Sequence, residues 1–125
     1  MHSFGQLLAV ALGGALGASL RWALTLWLPA AQFPWPVLVA NLSGSFAIGM
    51  VWAAAEGAVL PAAVRLFLVT GLLGALTTFS TFSLDVVYLL QHQRWLAAGG
   101  FMAANVVGCV FLTYVAFNIG RRLFV

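Results

Sequence analysis

The chain has 125 residues, of which 64% are hydrophobic and 6% are charged, with one cysteine and a formal net charge of +3. A soluble domain draws about a quarter of its residues from Asp, Glu, Lys and Arg. The composition therefore excludes a soluble enzyme, a disulfide scaffold and a disordered chain.

Prolines, glycines and charges divide the chain into four apolar segments, and each is long enough for a membrane crossing, which needs roughly 20 residues. Pro29 closes the first segment, Pro36 suits the first turn of the second, and Pro61 precedes the third. The first has no positive charge before Arg21, and its apolar run is longer than the roughly 7–15 residues of the apolar region in a signal peptide. We predict an all-α integral membrane protein, one domain of four transmembrane helices over residues 4–28, 36–55, 62–90 and 95–119.

Few charged, cysteine or histidine side chains are available to carry chemistry. The arginines are opposed only by Glu56 and Asp85, and they are too sparse for a nucleic-acid footprint. Cys109 has no partner for an intrachain disulfide. His2 and His92 have no second ligand at a spacing that suits a metal site. We expect no nucleic-acid partner and no enzyme activity.

The arginines also bear on orientation, because four spans place both termini on one side of the membrane. That side holds Arg65, Arg121 and Arg122, and the other holds Arg94 and Arg21. Three against two is almost no bias under the positive-inside rule. Such a chain can insert both ways, and two inverted copies can then pair as an antiparallel homodimer about a two-fold axis in the membrane plane.

Small and polar residues form a stripe on the first segment. Gly13, Gly17 and Arg21 share one face at i, i+4 and i+8, with Gly14 beside them. Glycines at this spacing predict close helix packing. Arg21 either extends to the membrane interface or fixes an anion, and the spacing leaves both readings open.

The second and fourth segments carry polar stripes with the same spacing. Their members are Asn41, Ser45 and Gly49 in the second segment, and Asn105, Cys109 and Thr113 in the fourth. An asparagine in hydrocarbon needs a hydrogen-bonding partner. Interhelical packing and the lining of a pore explain Asn41 equally well, and the fourth segment's stripe is either interhelical hydrogen bonding or a hydrated track.

The third segment is the most specific part of the sequence. Residues 77–85 hold five hydroxyls and the Asp85 carboxylate, spread over more than half of a helix circumference. No broad lipid-facing surface remains, so this stretch belongs in the interior. Gly71, Gly74 and hydroxyls that compete for backbone hydrogen bonds predict a break in the helix. The carbonyls freed by a break need protein, water or a cation as partner.

Phe79 and Phe82 occupy the remaining arc, at i and i+3. Phenylalanine usually packs in a core. The alternative uses the positive edge of the ring, since a channel lined by ring edges and hydroxyl donors suits a small anion.

Residues 71–85, with the Thr-Thr-Phe-Ser-Thr-Phe-Ser core, residues 13–22 and residues 41–46 together resemble the Fluc (CrcB) family of fluoride channels. The resemblance implies a dual-topology antiparallel homodimer with two fluoride pores, exporting fluoride passively across the bacterial cytoplasmic (inner) membrane. It also implies the pore residues: ring edges from Phe79 and Phe82, a donor from Asn41, a polar track of Ser80, Thr81 and Thr113, and Arg21 near the entrance.

The resemblance further implies a structural sodium ion at the dimer centre. It would be held by the backbone carbonyls of Gly74 and Thr77 from both subunits, and neutral oxygens suit a hard cation. The chain departs from the family's usual residues at Ala75, often Gly, and at Asp85, often Glu. We assign Asp85 no role beyond electrostatic tuning near a pore mouth.

Two rival functions come from other classes. A small multidrug-type cation/proton exporter is also a four-span dual-topology dimer, but it needs a carboxylate in its first span. Residues 1–28 contain none, and Asp85 is the sole candidate. A membrane enzyme or accessory subunit is the second rival, although the sequence has no nucleophile-base pair or phosphate-binding loop.

Overall fold

The computed structural model describes residues 3–125, which contain helices and no strands. His2 lies outside this range. All four apolar segments are helices long enough to cross a membrane, so the prediction of an all-α protein with four spans is confirmed. The helices are α1 (Phe4–Trp27), α2 (Trp35–Glu56), α3 (residues 62–76), α4 (Phe79–Gln91) and α5 (Trp95–Phe124).

The third span is the discontinuous one, and its halves pack on different neighbours. α3 lies along α1, whereas α4 contacts the beginning of α5 and one side of α2. α2 and α5 form the other extensive helix pair. The break between α3 and α4 is therefore the point at which the third span changes partners.

Glycines make the contact between α1 and α3 very close. A Cβ built on Gly13 or Gly17 would collide with backbone atoms of Phe67 or Leu72, and Gly71 approaches the backbone of α1 in the same way. α3 has π-helical turns over Leu66–Leu73. The predicted packing role of Gly13 and Gly17 is confirmed, whereas Gly14 has no atom within 4 Å of a Cβ position.

The α1–α3 contact yields a paired test. Gly17→Ala is expected to destabilise the protein by about 1–3 kcal/mol, the usual range for overpacking, because backbone atoms cannot move aside as a flexible side chain can. Gly14→Ala is the matched control and should leave stability unchanged. Thermal unfolding of both variants in detergent measures the difference, and equal melting temperatures would contradict the close contact.

The fourth span is longer than predicted and continues to Phe124 rather than residue 119. Two contacts with α2 hold this extension. Gly120 is packed against Ala53, and Arg121 Nε lies 3.8 Å from Glu56 Oε2. The sequence could not show that Arg121 and Arg122 lie on the helix rather than beyond its end.

Candidate functional site

The break consists of two extended residues. Thr77 has φ −81° and ψ 150°, and Thr78 has φ −152° and ψ 120°. α3 ends at Leu76 and α4 begins at Phe79, so the predicted break lies inside the hydroxyl-rich run. Glycines were expected to favour the break, but both extended residues are threonines, whose branched Cβ favours β geometry.

A carboxamide from α2 binds the peptide at the break. Thr78 N–H donates to Asn41 Oδ1 at 2.8 Å, and Asn41 Nδ2 donates to the Thr78 carbonyl at 3.2 Å. Asn41 Nδ2 also donates to Asn105 Oδ1 at 2.8 Å. Both amide hydrogens of Asn41 are thus engaged in the protomer, and Asn41 replaces backbone hydrogen bonds that the break removes.

Hydroxyls satisfy the start of α4. The Thr78 side chain is its N-cap and accepts from Thr81 N–H at 3.1 Å. Thr78 Oγ1 also donates to Thr81 Oγ1 at 3.1 Å and lies 3.3 Å from Ser80 Oγ. Arg21 Nη1 donates to Thr81 Oγ1 at 3.4 Å. The predicted residues Arg21, Ser80 and Thr81 therefore meet in one hydrogen-bonded group at the N-terminus of α4.

The same bonds release two backbone carbonyls. In a continuous helix Thr78 N–H would donate to the Gly74 carbonyl and Thr81 N–H to the Thr77 carbonyl. Here Thr78 N–H goes to Asn41 and Thr81 N–H to the Thr78 side chain. The carbonyls of Gly74 and Thr77 therefore lose their regular helical donors, as do the other carbonyls at the end of α3, and Gly74 and Thr77 are the pair that the family resemblance implies for sodium.

A cavity of about 420 Å³ lies beside the break. The residues of the break and the side chains that pack around it line this cavity. They are Asn41, Gly74, Thr77, Thr78, Phe79, Phe82 and Asn105. The described residues contain no group of three or more His, Cys, Asp or Glu side chains that could hold a metal. The lining of this cavity includes no Asp or Glu side chain.

The two phenylalanines differ in their surroundings. Their ring centroids are 5.3 Å apart at 57°, but Phe82 is 7% exposed in the protomer and Phe79 is 76% exposed. Phe82 packs on Phe101, with centroids also 5.3 Å apart, within a buried cluster formed with Val37 and Leu38 of α2. Phe82 is therefore held rigidly, whereas Phe79 presents its ring beyond the protomer.

Thr113 lies apart from the break. Its hydroxyl donates to the Ser45 carbonyl at 2.9 Å, and it lines a separate cleft with Gly49 and Cys109. The polar stripes on α2 and α5 thus make interhelical hydrogen bonds and also border open space. The interhelical hydrogen bonds predicted for these stripes are confirmed, and the lining of a pore stays a prediction.

Comparison with known sequences agrees with this geometry. A family profile described as "CrcB-like protein, Camphor Resistance (CrcB)" matches residues 8–117. The chain belongs to the CrcB family. A CrcB relative from Marinobacter nauticus is 49% identical over 90% of this chain and 91% of its own length. Relatives from Bordetella petrii and Mannheimia succiniciproducens are 45% and 41% identical, over 85% and 98% of this chain and 84% and 99% of their own lengths.

All three relatives carry the name fluoride-specific ion channel FluC. The resemblance to the Fluc (CrcB) family drawn from residues 13–22, 41–46 and 71–85 is confirmed. With four membrane-spanning helices, this CrcB chain is a multi-pass protein of the bacterial cytoplasmic membrane.

Sequence reasoning missed two contributions to the site of this CrcB chain. Asn105 was placed on a stripe, but its bond to Asn41 was not foreseen, because two unpaired asparagines on different spans do not reveal their relative rotation. Arg94 lines a cleft of about 360 Å³ with Thr81 and Asp85. The sequence indicated only that Arg94 lies just before α5, on the side of the membrane opposite the termini, and not that it borders a cleft.

Proposed function

We propose that the chain is a fluoride-specific channel that exports cytoplasmic fluoride passively and so reduces fluoride toxicity. The observation that carries the proposal is the break in the third span, where hydroxyls, freed carbonyls and the paired rings of Phe79 and Phe82 meet at one cavity. CrcB relatives named as fluoride channels, 41–49% identical to this chain, support the same conclusion.

The proposed ion path runs along α4. Arg21 and Thr81 stand at one end, next to Ser80, and the ring edges of Phe79 and Phe82 follow toward the cavity. Fluoride is strongly hydrated, so a narrow path must replace its water with several donors, each weak enough to release the ion. Hydroxyls and ring edges meet this requirement and offer a cation little.

Asn41 and Thr113 take part in this path under a condition that the geometry sets. The Asn41 hydrogens bind Thr78 and Asn105, and the Thr113 hydroxyl binds Ser45. Donation to a passing anion requires each to exchange a protein acceptor for the ion. Such an exchange keeps the number of hydrogen bonds that each side chain donates constant. The net free energy of binding the ion is therefore small, and the ion can leave.

An antiparallel homodimer completes the path. The cavity at the break is open at the protomer surface, and Phe79 extends from it with 76% of its area exposed. An inverted second copy covers this face and, by two-fold symmetry, creates two equivalent pores. The near balance of arginines on the two sides supports insertion in both orientations.

A structural sodium ion fits the centre of this dimer. Gly74 and Thr77 have carbonyls without their regular helical donors, and both residues line the cavity that the partner closes. Two such carbonyls from each subunit supply the neutral oxygens that a hard monovalent cation accepts. Gly74 and Thr77 of both subunits would hold this ion, which would supply positive charge between the two breaks and would not be transported.

The multidrug-type exporter remains the alternative, but the geometry does not favour it. α1 carries no carboxylate over Phe4–Trp27, and Asp85 lies in the cleft with Arg94 rather than at the cavity beside the break. A proton-coupled exporter needs a carboxylate that both substrate and proton can reach.

Fluoride efflux from reconstituted vesicles tests the proposal. Vesicles loaded with potassium fluoride should release fluoride to an ion-selective electrode once valinomycin carries the balancing potassium, whereas chloride-loaded vesicles should release almost nothing. Equal release of both anions, or uptake of a lipophilic cation driven by a pH gradient, would overturn it.

A further inference from the structure

Three polar residues of the described chain each have less than a tenth of their surface exposed, and they form one hydrogen-bonded group. Asn41, Thr78 and Asn105 are 8%, 9% and 5% exposed. They come from the second, third and fourth spans and bond to one another. Buried polar groups must be satisfied by the protein when water is absent, so the three spans depend on each other at this point.

One series of bonds runs from Thr78 to Phe101, and Asn41 Nδ2 also donates back to the Thr78 carbonyl at 3.2 Å. Thr78 N–H donates to Asn41 Oδ1 at 2.8 Å, Asn41 Nδ2 donates to Asn105 Oδ1 at 2.8 Å, and Asn105 Nδ2 donates to the Phe101 carbonyl at 2.9 Å. Each acceptor fixes the orientation of the carboxamide that precedes it. A flipped Asn41 would set its NH₂ group against the Thr78 N–H and its oxygen against Asn105 Oδ1 and the Thr78 carbonyl, so Asn105 and the Thr78 peptide together hold the observed orientation.

We propose that Asn105 is a positioning residue for the fluoride and sodium sites and acts through Asn41. This inference rests on the proposed function. Asn105 fixes the Asn41 carboxamide, Asn41 holds the Thr78 N–H, and that N–H is thereby kept away from the Gly74 carbonyl. A side chain of the fourth span thus determines whether a carbonyl of the third span is available to the cation.

Phe101 anchors both parts of the site. Its carbonyl accepts from Asn105, and its fully buried ring contacts the ring of Phe82. Asn105 itself lies in the π-helical turns Ala104–Gly108, a local irregularity that is frequent at functional sites. One turn of α5 therefore sets both the aromatic ring and the carboxamide of the proposed pore.

Hydrogen–deuterium exchange combined with fluoride efflux tests the inference on the full chain. Asn105→Leu removes the bond to Asn41, and Asn105→Ser keeps a hydroxyl for the Phe101 carbonyl but is too short to reach Asn41. Both variants should speed exchange of the Thr78 amide about five- to tenfold, as expected for one weakened hydrogen bond. Both should also lower fluoride efflux and raise the sodium concentration that gives half-maximal efflux.

Asn118→Leu is the matched control. Asn118 makes the same bond to the carbonyl four residues earlier, at 2.8 Å to Tyr114, but it is exposed. Its replacement should leave Thr78 exchange and efflux unchanged. Unaltered Thr78 exchange in the Asn105 variants would overturn the inference even if efflux falls, because Asn105 would then act directly on the ion. Faster exchange with full efflux would overturn it too.

A double-variant cycle checks the route through Asn41. In an Asn41→Leu background, the further change Asn105→Leu should alter Thr78 exchange less than about twofold, because coupled residues are non-additive. Full additivity would contradict action through Asn41. If the unmodified protein fails to conduct fluoride, the proposed function is wrong, whereas the exchange measurements still decide whether Asn105 holds the break.

Discussion

Replacing Phe82 with Ile is expected to reduce fluoride efflux about a hundredfold, which corresponds to a rise of about 3 kcal/mol in the highest barrier. Ile keeps the apolar volume near Phe101 but has no positive ring edge to face the anion. Phe79→Ile should have a comparable effect, although Phe79 is mostly exposed in the protomer. Efflux recorded with a fluoride electrode, normalised to protein per vesicle, measures both.

The two positions separate a packing role from an ion-facing role. Phe82 is buried in a hydrophobic cluster, so its replacement also perturbs stability, and thermal unfolding should accompany the flux measurement. Phe79 is not in that cluster, so its replacement leaves the core of the protomer intact, and the oligomeric state of the variant in detergent shows whether the covered face is preserved. Phe4→Ile is the control, because Phe4 is 74% exposed and lies at the beginning of α1. Unchanged efflux in Phe79→Ile would refute the ring-edge role.

Removal of sodium from both sides of the membrane is expected to lower fluoride efflux by one to two orders of magnitude. A ligand present at 100 times its dissociation constant stabilises its bound state by about 2.7 kcal/mol, so its withdrawal changes the population about a hundredfold. Without sodium, the carbonyls of Gly74 and Thr77, which lack their regular helical donors, would have no cation as partner. Efflux measured across a sodium titration gives the size of the effect.

An inert cation controls for ionic strength in that experiment. N-methyl-D-glucamine should replace the bulk salt without restoring efflux, and sodium added back should restore it. Efflux that is the same in both salts would show that protein groups alone satisfy the two carbonyls. The fluoride path would survive that result, because its donors are side chains and ring edges rather than the carbonyls of Gly74 and Thr77.

The sequence allowed prediction of those features that depend on local composition and spacing. Apolar length gave the four spans, the crowding of hydroxyls at residues 77–85 gave the break, and the spacing of Gly13 and Gly17 gave the close contact of α1. Each is determined within one helix or by one helix face. The family motif at residues 71–85 then added the functional assignment.

Features that depend on the relative rotation of helices could not be predicted. The pairing of Asn41 with Asn105 and the bond from Thr113 to Ser45 join residues more than sixty positions apart. The sequence showed that each polar group needs a partner in hydrocarbon, but several polar stripes compete for that role.

The central claim is that an inverted copy of the chain covers the open cavity at the break, and site-directed labelling of membrane orientation tests it most directly. In a Cys109→Ala background, a single cysteine replaces either Ala31, in the loop after α1, or Val125, at the opposite end. A membrane-impermeant maleimide applied from outside intact cells should label about half of the molecules in each case, as a two-fold antiparallel pair requires. Labelling of nearly all molecules at one position and almost none at the other would contradict the account.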